Sequence, residues 1–82
     1  MNIDNLVHMA NQIGTFFSAY PDREEAMEGI ATHIHKFWEP RMRNLILDKL
    51  SPEQTPDMLP LVRDALQAHA AQLRPSMATA SS

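Results

Sequence analysis

Apolar residues recur at helical spacing in successive segments separated by prolines. The first segment, from Ile3 to Ala19, sets Leu6, Met9, Ala10, Ile13, Phe16, Phe17 and Tyr20 on one broad face. Asp4 or Asn5 is placed to cap its amino end, and Pro21 stops it. The second segment opens on Asp22, an N-cap with Glu25 three residues on, and its first turn is acidic, as the helix dipole favours. It runs from Arg23 to Phe37 or Trp38, with Ala26, Met27, Ile30, Ala31, Ile34, Phe37 and Trp38 apolar. Gly29 interrupts it at a cost of about 1 kcal/mol relative to Ala, tolerable where another helix crosses closely.

Pro40 is expected to end that helix, because a proline disfavours the α conformation in the residue before it and suits the first position of a new helix; the alternative is one long helix kinked at Pro40. The third helix is predicted over Pro40–Leu50, with Met42, Leu45, Ile46, Leu47 and Leu50 apolar. Ser51–Asp57 holds two prolines and reads as a loop. A last helix is expected from near Pro56, capped by Thr55, or from Pro60 if that residue delays its regular part, and it ends at Arg74-Pro75. The fold class is therefore all-α: three or four helices in one domain over residues 1–74, a proline elbow between helices two and three, and a flexible tail over 75–82.

Charge changes how the first helix reads. Its polar side carries His8, Asn11, Gln12, Thr15 and Ser18, and Asp4 is the sole formal charge before Asp22. A solvated face normally carries Lys and Glu; an uncharged amide and hydroxyl face is expected where both sides of a helix meet protein. The elbow reads similarly. His33–Arg43 gathers the only Trp, one of the three Phe, two of the four His and three of the seven basic residues. Aromatics and Arg are what protein interfaces favour. By helical projection Arg43 falls among Ile46, Leu47 and Leu50, where its guanidinium either snorkels or meets a partner's carboxylate or carbonyls; Arg41 is the more ambiguous of the two.

Composition removes several functions. With no cysteine there is no disulfide, thiolate zinc site, iron–sulfur cluster or cysteine nucleophile. His33 and His35 diverge by about 160° on a helix and cannot share one ion. No nucleophile elbow or glycine-rich phosphate loop is present, so no catalytic, metal or cofactor-binding residue is expected. A helix-turn-helix reading would make Pro40–Leu50 the recognition helix, through Arg41, Arg43, Asn44 and Lys49. The net charge of −3 argues against nucleic acid. No apolar run reaches membrane-spanning length, and Met1–Asn5 lacks the features of a signal peptide, so the expected compartment is the cytoplasm.

Three strings carry a family resemblance: Leu6-Val7-His8-Met9-Ala10-Asn11-Gln12-Ile13 followed by Phe16-Phe17; Ile30-Ala31-Thr32-His33-Ile34; and Lys36-Phe37-Trp38-Glu39-Pro40-Arg41-Met42-Arg43. Together, over roughly residues 5–50, they resemble the delta subunit of soluble NAD-dependent molybdenum formate dehydrogenases. The resemblance implies a small, cofactor-free member of a complex that oxidises formate to carbon dioxide and reduces NAD. In that complex larger subunits hold the molybdenum, iron–sulfur, flavin and NAD sites. It further implies support of assembly or stability of the catalytic subunit, either as a resident subunit or as a transient chaperone for molybdenum cofactor insertion.

The expected partner interface is Asn11, Gln12, Phe37, Trp38, Pro40, Arg41 and Arg43, facing the catalytic or other subunits, with self-association as the alternative cover for an exposed aromatic patch. On this reading Trp38→Ala or Arg43→Ala releases the chain from its complex and leaves its own helicity intact.

Overall fold

The computed structural model describes residues 2–75; the expected flexibility of residues 76–82 lies outside them. Five helices follow one another: α1 (Ile3–Phe17), α2 (Arg23–Phe37), α3 (Pro40–Leu47), α4 (Pro60–Ala68) and α5 (Ala70–Leu73), with no strand among the described residues. The all-α expectation holds. The helix count rises to five because the last predicted helix breaks at His69 (φ −111°, ψ 21°), leaving α5 a single turn. That turn completes the interior, since Leu73 is fully buried and Pro75 is buried behind it.

Local chemistry sets most helix ends. Asn2, rather than Asp4 or Asn5, caps α1 by accepting the Asp4 N–H at 2.8 Å. Asp22 caps α2 as expected, accepting the Glu24 N–H at 2.9 Å. Ahead of Pro40 both Trp38 (ψ 139°) and Glu39 (ψ 153°) are extended, and Pro40 starts α3 without a side-chain cap. α3 stops at Leu47, short of the expected Leu50, where the Lys49 N–H turns back to the Ile46 carbonyl. α4 starts at Pro60, the later of the two expected positions.

The core is built from Leu6, Val7 and Ala10 of α1, Ile30, Ala31 and Ile34 of α2, and Val62, Ala65 and Leu66 of α4, closed by Trp38, Ile46 and Leu73. The buried stripe of α1 is Leu6, Val7, Ala10 and Gly14. This stripe is rotated from the expected face, which leaves Phe16 and Tyr20 exposed. Both glycines mark close approaches. A Cβ on Gly14 would overlap Val62 Cγ2 of α4, and one on Gly29 would overlap the Phe17 ring.

The connector from Asp48 to Leu59 has no helix, yet polar side chains pin it at both ends. Thr55, only 3% exposed, is not a helix cap. Its hydroxyl donates to the Lys49 carbonyl at 2.7 Å and accepts from Arg63 Nη1 at 3.1 Å. Arg63 also donates to the Leu50 and Thr55 carbonyls. At the far end the Asn11 amide donates to the Asp57 carbonyl and accepts the Leu59 N–H, both at 2.9 Å. Asn11 thereby supplies from α1 the bond that a capping side chain would make beside the start of α4. Two surface ion pairs, Arg23–Asp64 and Arg74–Asp48, join separate elements; half-exposed pairs of this kind contribute at most about 1 kcal/mol each.

Because Trp38 is buried, Trp38→Ala is expected to destabilise the isolated chain by about 3–5 kcal/mol, read as a lower urea midpoint and lost helicity. A midpoint within about 0.5 kcal/mol of wild type would place the indole outside the core. Gly14→Ala is expected to cost about 1–3 kcal/mol despite alanine's higher helix propensity, since stiff Val62 cannot yield. Adding Val62→Ala should then cost less than it does alone, a coupling that a double-mutant cycle measures.

Candidate functional site

α1 offers more apolar side chains than the interior takes. Met9, Ile13 and Phe16 follow i, i+4, i+7 spacing along the flank turned away from α4, with Gln12 among them. At the carboxyl end of α2 the proline break separates neighbours: Trp38 turns into the core at 5% exposure, and Phe37 stays outside at 70%. Phe16, at 68%, stands on the other side.

Between these walls lies an open groove of about 670 Å³. Its α1 wall is Met9, Gln12, Ile13, Phe16 and Phe17, and its opposite wall is His33, Phe37, Trp38 and Met42. The aromatic residues brace one another. Phe16 meets Phe17 edge-on at 5.0 Å between centroids, Phe17 meets Tyr20 at 5.2 Å, and the His33 ring lies 4.8 Å from that of Phe37. Across the His33 and Phe37 side chains lies a second hollow of about 410 Å³, lined also by Phe17, Glu28, Gly29, Thr32, Lys36 and Gln72.

The groove unites three of the seven interface residues expected from sequence: Gln12, Phe37 and Trp38. Trp38 contributes as a buried wall and not as a projecting side chain, which corrects the expectation that its removal leaves helicity intact. The Asn11 amide is bonded at both ends within the chain and does not line the groove. Arg43 does reach a backbone carbonyl, but one of its own chain: Nη1 donates to the Leu73 carbonyl at 3.3 Å, and its buried Nε has no partner. Pro40 and Arg41 are exposed on the elbow, away from the groove lining. Met9, Ile13, Phe16, Phe17, His33 and Met42 were not singled out as site residues. The available signal is arithmetic, since Ile3, Leu6, Val7, Met9, Ala10, Ile13, Phe16 and Phe17 are more apolar positions than one helix of a small domain can bury.

Of the four residues that a DNA-reading α3 would present, Arg43 and Asn44 are bonded within the chain, Asn44 accepting from Arg74 at 3.0 Å. Among the described residues no group of three or more His, Cys, Asp or Glu is placed to hold a metal, and no helix is long and apolar enough to cross a membrane.

No curated protein and no solved structure is significantly similar to the chain. The sequence profile of one family, described as NADH-dependent formate dehydrogenase delta subunit FdsD, matches residues 5–66. The matched span begins in α1, takes in both walls of the groove and the pinned connector, and ends within α4. It extends past the motif-bearing stretch of roughly residues 5–50 and leaves out α5. With most of its 82 residues matched, the chain belongs to the FdsD family of formate dehydrogenase delta subunits.

Proposed function

We propose that this chain is a non-catalytic accessory subunit that stabilises the molybdenum-containing catalytic subunit of an NAD-dependent formate dehydrogenase, docking through the α1–α2 groove. It works in the cytoplasm as a resident of the complex. The observation that carries the reading is the pair of exposed rings, Phe16 and Phe37, flanking a groove of apolar side chains. Two phenylalanines held in water forgo burial worth roughly 1.5–3 kcal/mol each, and a contiguous exposed patch of this kind marks a protein contact. The aromatic content matches what interface cores favour. A protein partner is favoured over a substrate because the groove is open and exposed phenylalanines flank it, with Gln12 and His33 the polar side chains among its lining residues.

The support is structural in kind. A subunit that buries an aromatic groove against a larger neighbour stabilises that neighbour's folded form by mass action. The same contact suits the stage at which the molybdenum cofactor enters the catalytic subunit, because it braces a surface without adding chemistry to it.

The test is co-purification of the tagged chain with the formate dehydrogenase subunits. Phe16→Ala with Phe37→Ala is expected to reduce capture at least thirtyfold, about 2 kcal/mol or more, while the urea midpoint of the isolated chain stays near wild type. Capture at wild-type level by the double variant rules the groove out as the contact. Stoichiometry in the mature, active complex is expected to be integral. A substoichiometric chain there assigns it instead to transient assembly.

A further inference from the structure

The groove also specifies what fills it, on the reading that it is the docking face. Its long wall runs from Met9 to Phe16, about seven helical steps along α1, or about 10 Å at the helical rise. That is two turns of helix, enough for three side chains at i, i+3 or i+4, and i+7 spacing. The α1 wall is helical throughout the residues that line the groove, so its backbone groups are largely paired within the helix, and no open sheet edge is offered among the described residues. An extended segment laid there would bury peptide groups with nothing to bond to, whereas a helix satisfies its own.

Charge selects further. None of the chain's ten acidic residues lines the groove. Immediately across the Phe37 ring, Lys36 lines the second hollow, exposed and outside the two ion pairs of the described residues. Glu28 lines the same hollow eight residues earlier, about 12 Å along α2, and the exposed Glu39 lines neither cavity, so Lys36 is the charged lining residue beside Phe37. We infer that the groove receives one amphipathic helix of the partner subunit, two turns deep, with a carboxylate on its flank that meets Lys36. A second copy of this chain fits less well: α1, the helix carrying the exposed apolar flank, has Asp4 as its single acidic residue, near its amino end and away from that flank.

The experiment uses the assembled complex, with Gln12 replaced by the photo-crosslinker p-benzoylphenylalanine and the linked peptide identified by mass spectrometry. The expected peptide belongs to another subunit and has apolar residues at i, i+3 or i+4, and i+7, with an Asp or Glu beside them. In parallel, Lys36→Glu is expected to weaken capture of the partner about tenfold at low salt, and reversing the partner's carboxylate to Lys should restore it. A cross-link to a second copy of this chain, or to a segment without that periodicity, overturns the inference. So does full capture by Lys36→Glu while the Phe16→Ala, Phe37→Ala variant is released, in which case the docking face stands and its helical, acidic occupant does not. Full capture by both variants removes the docking face and the occupant together.

Discussion

Everything outside the first two helices depends on the conformational restriction that Pro40 places on its neighbours. An α conformation at Glu39 would drive its backbone into the proline ring, so the chain must leave the helix at Trp38. Two extended residues then reverse which side of the chain faces inward. The indole of Trp38 enters the interior alongside Ile34 and Ile46, and the ring one residue earlier is left in water. Without that break, Phe37 and Trp38 would continue along α2 only 100° apart, and the groove would lose one wall.

The second constraint is size. A domain this small buries a modest share of its surface and cannot enclose every large apolar side chain it carries. The interior goes to aliphatic residues and one indole, while the phenylalanines collect on the outer flank of α1 and the end of α2. Polar side chains compensate where apolar contact is thin. Asn11, Thr55 and Arg63 give the connector the backbone partners that regular structure would otherwise supply, so it is held to α1 and α4 through residues far apart in sequence.

Local signals were legible in the sequence wherever they act over a few residues. The Asp22 cap, the stop before Pro21, the break at Pro40 and the closeness implied by Gly29 all follow from neighbours along the chain. What periodicity could not supply was choice among equivalent positions. The face predicted for the first helix includes Phe16 and omits Val7, and the crossing of α4 at Gly14 makes Val7 interior and leaves Phe16 outside. Trp38 illustrates the same limit in the site, since its residue type marks interfaces and cores equally and burial alone separates them. The roles of Asn11, Thr55 and Arg63 depend on contacts six to forty-eight residues away, beyond the reach of the helical pattern.

Gly29 carries a consequence for the groove that it does not line. The Phe17 ring lies where a side chain at position 29 would be, and that same ring forms part of the groove wall. The position of that wall therefore depends on a missing atom: the Phe17 ring packs against the bare backbone of α2 at Gly29. A residue that lines no part of the groove thus fixes where its Phe17 wall stands, and any side chain at position 29 would have to push that ring aside.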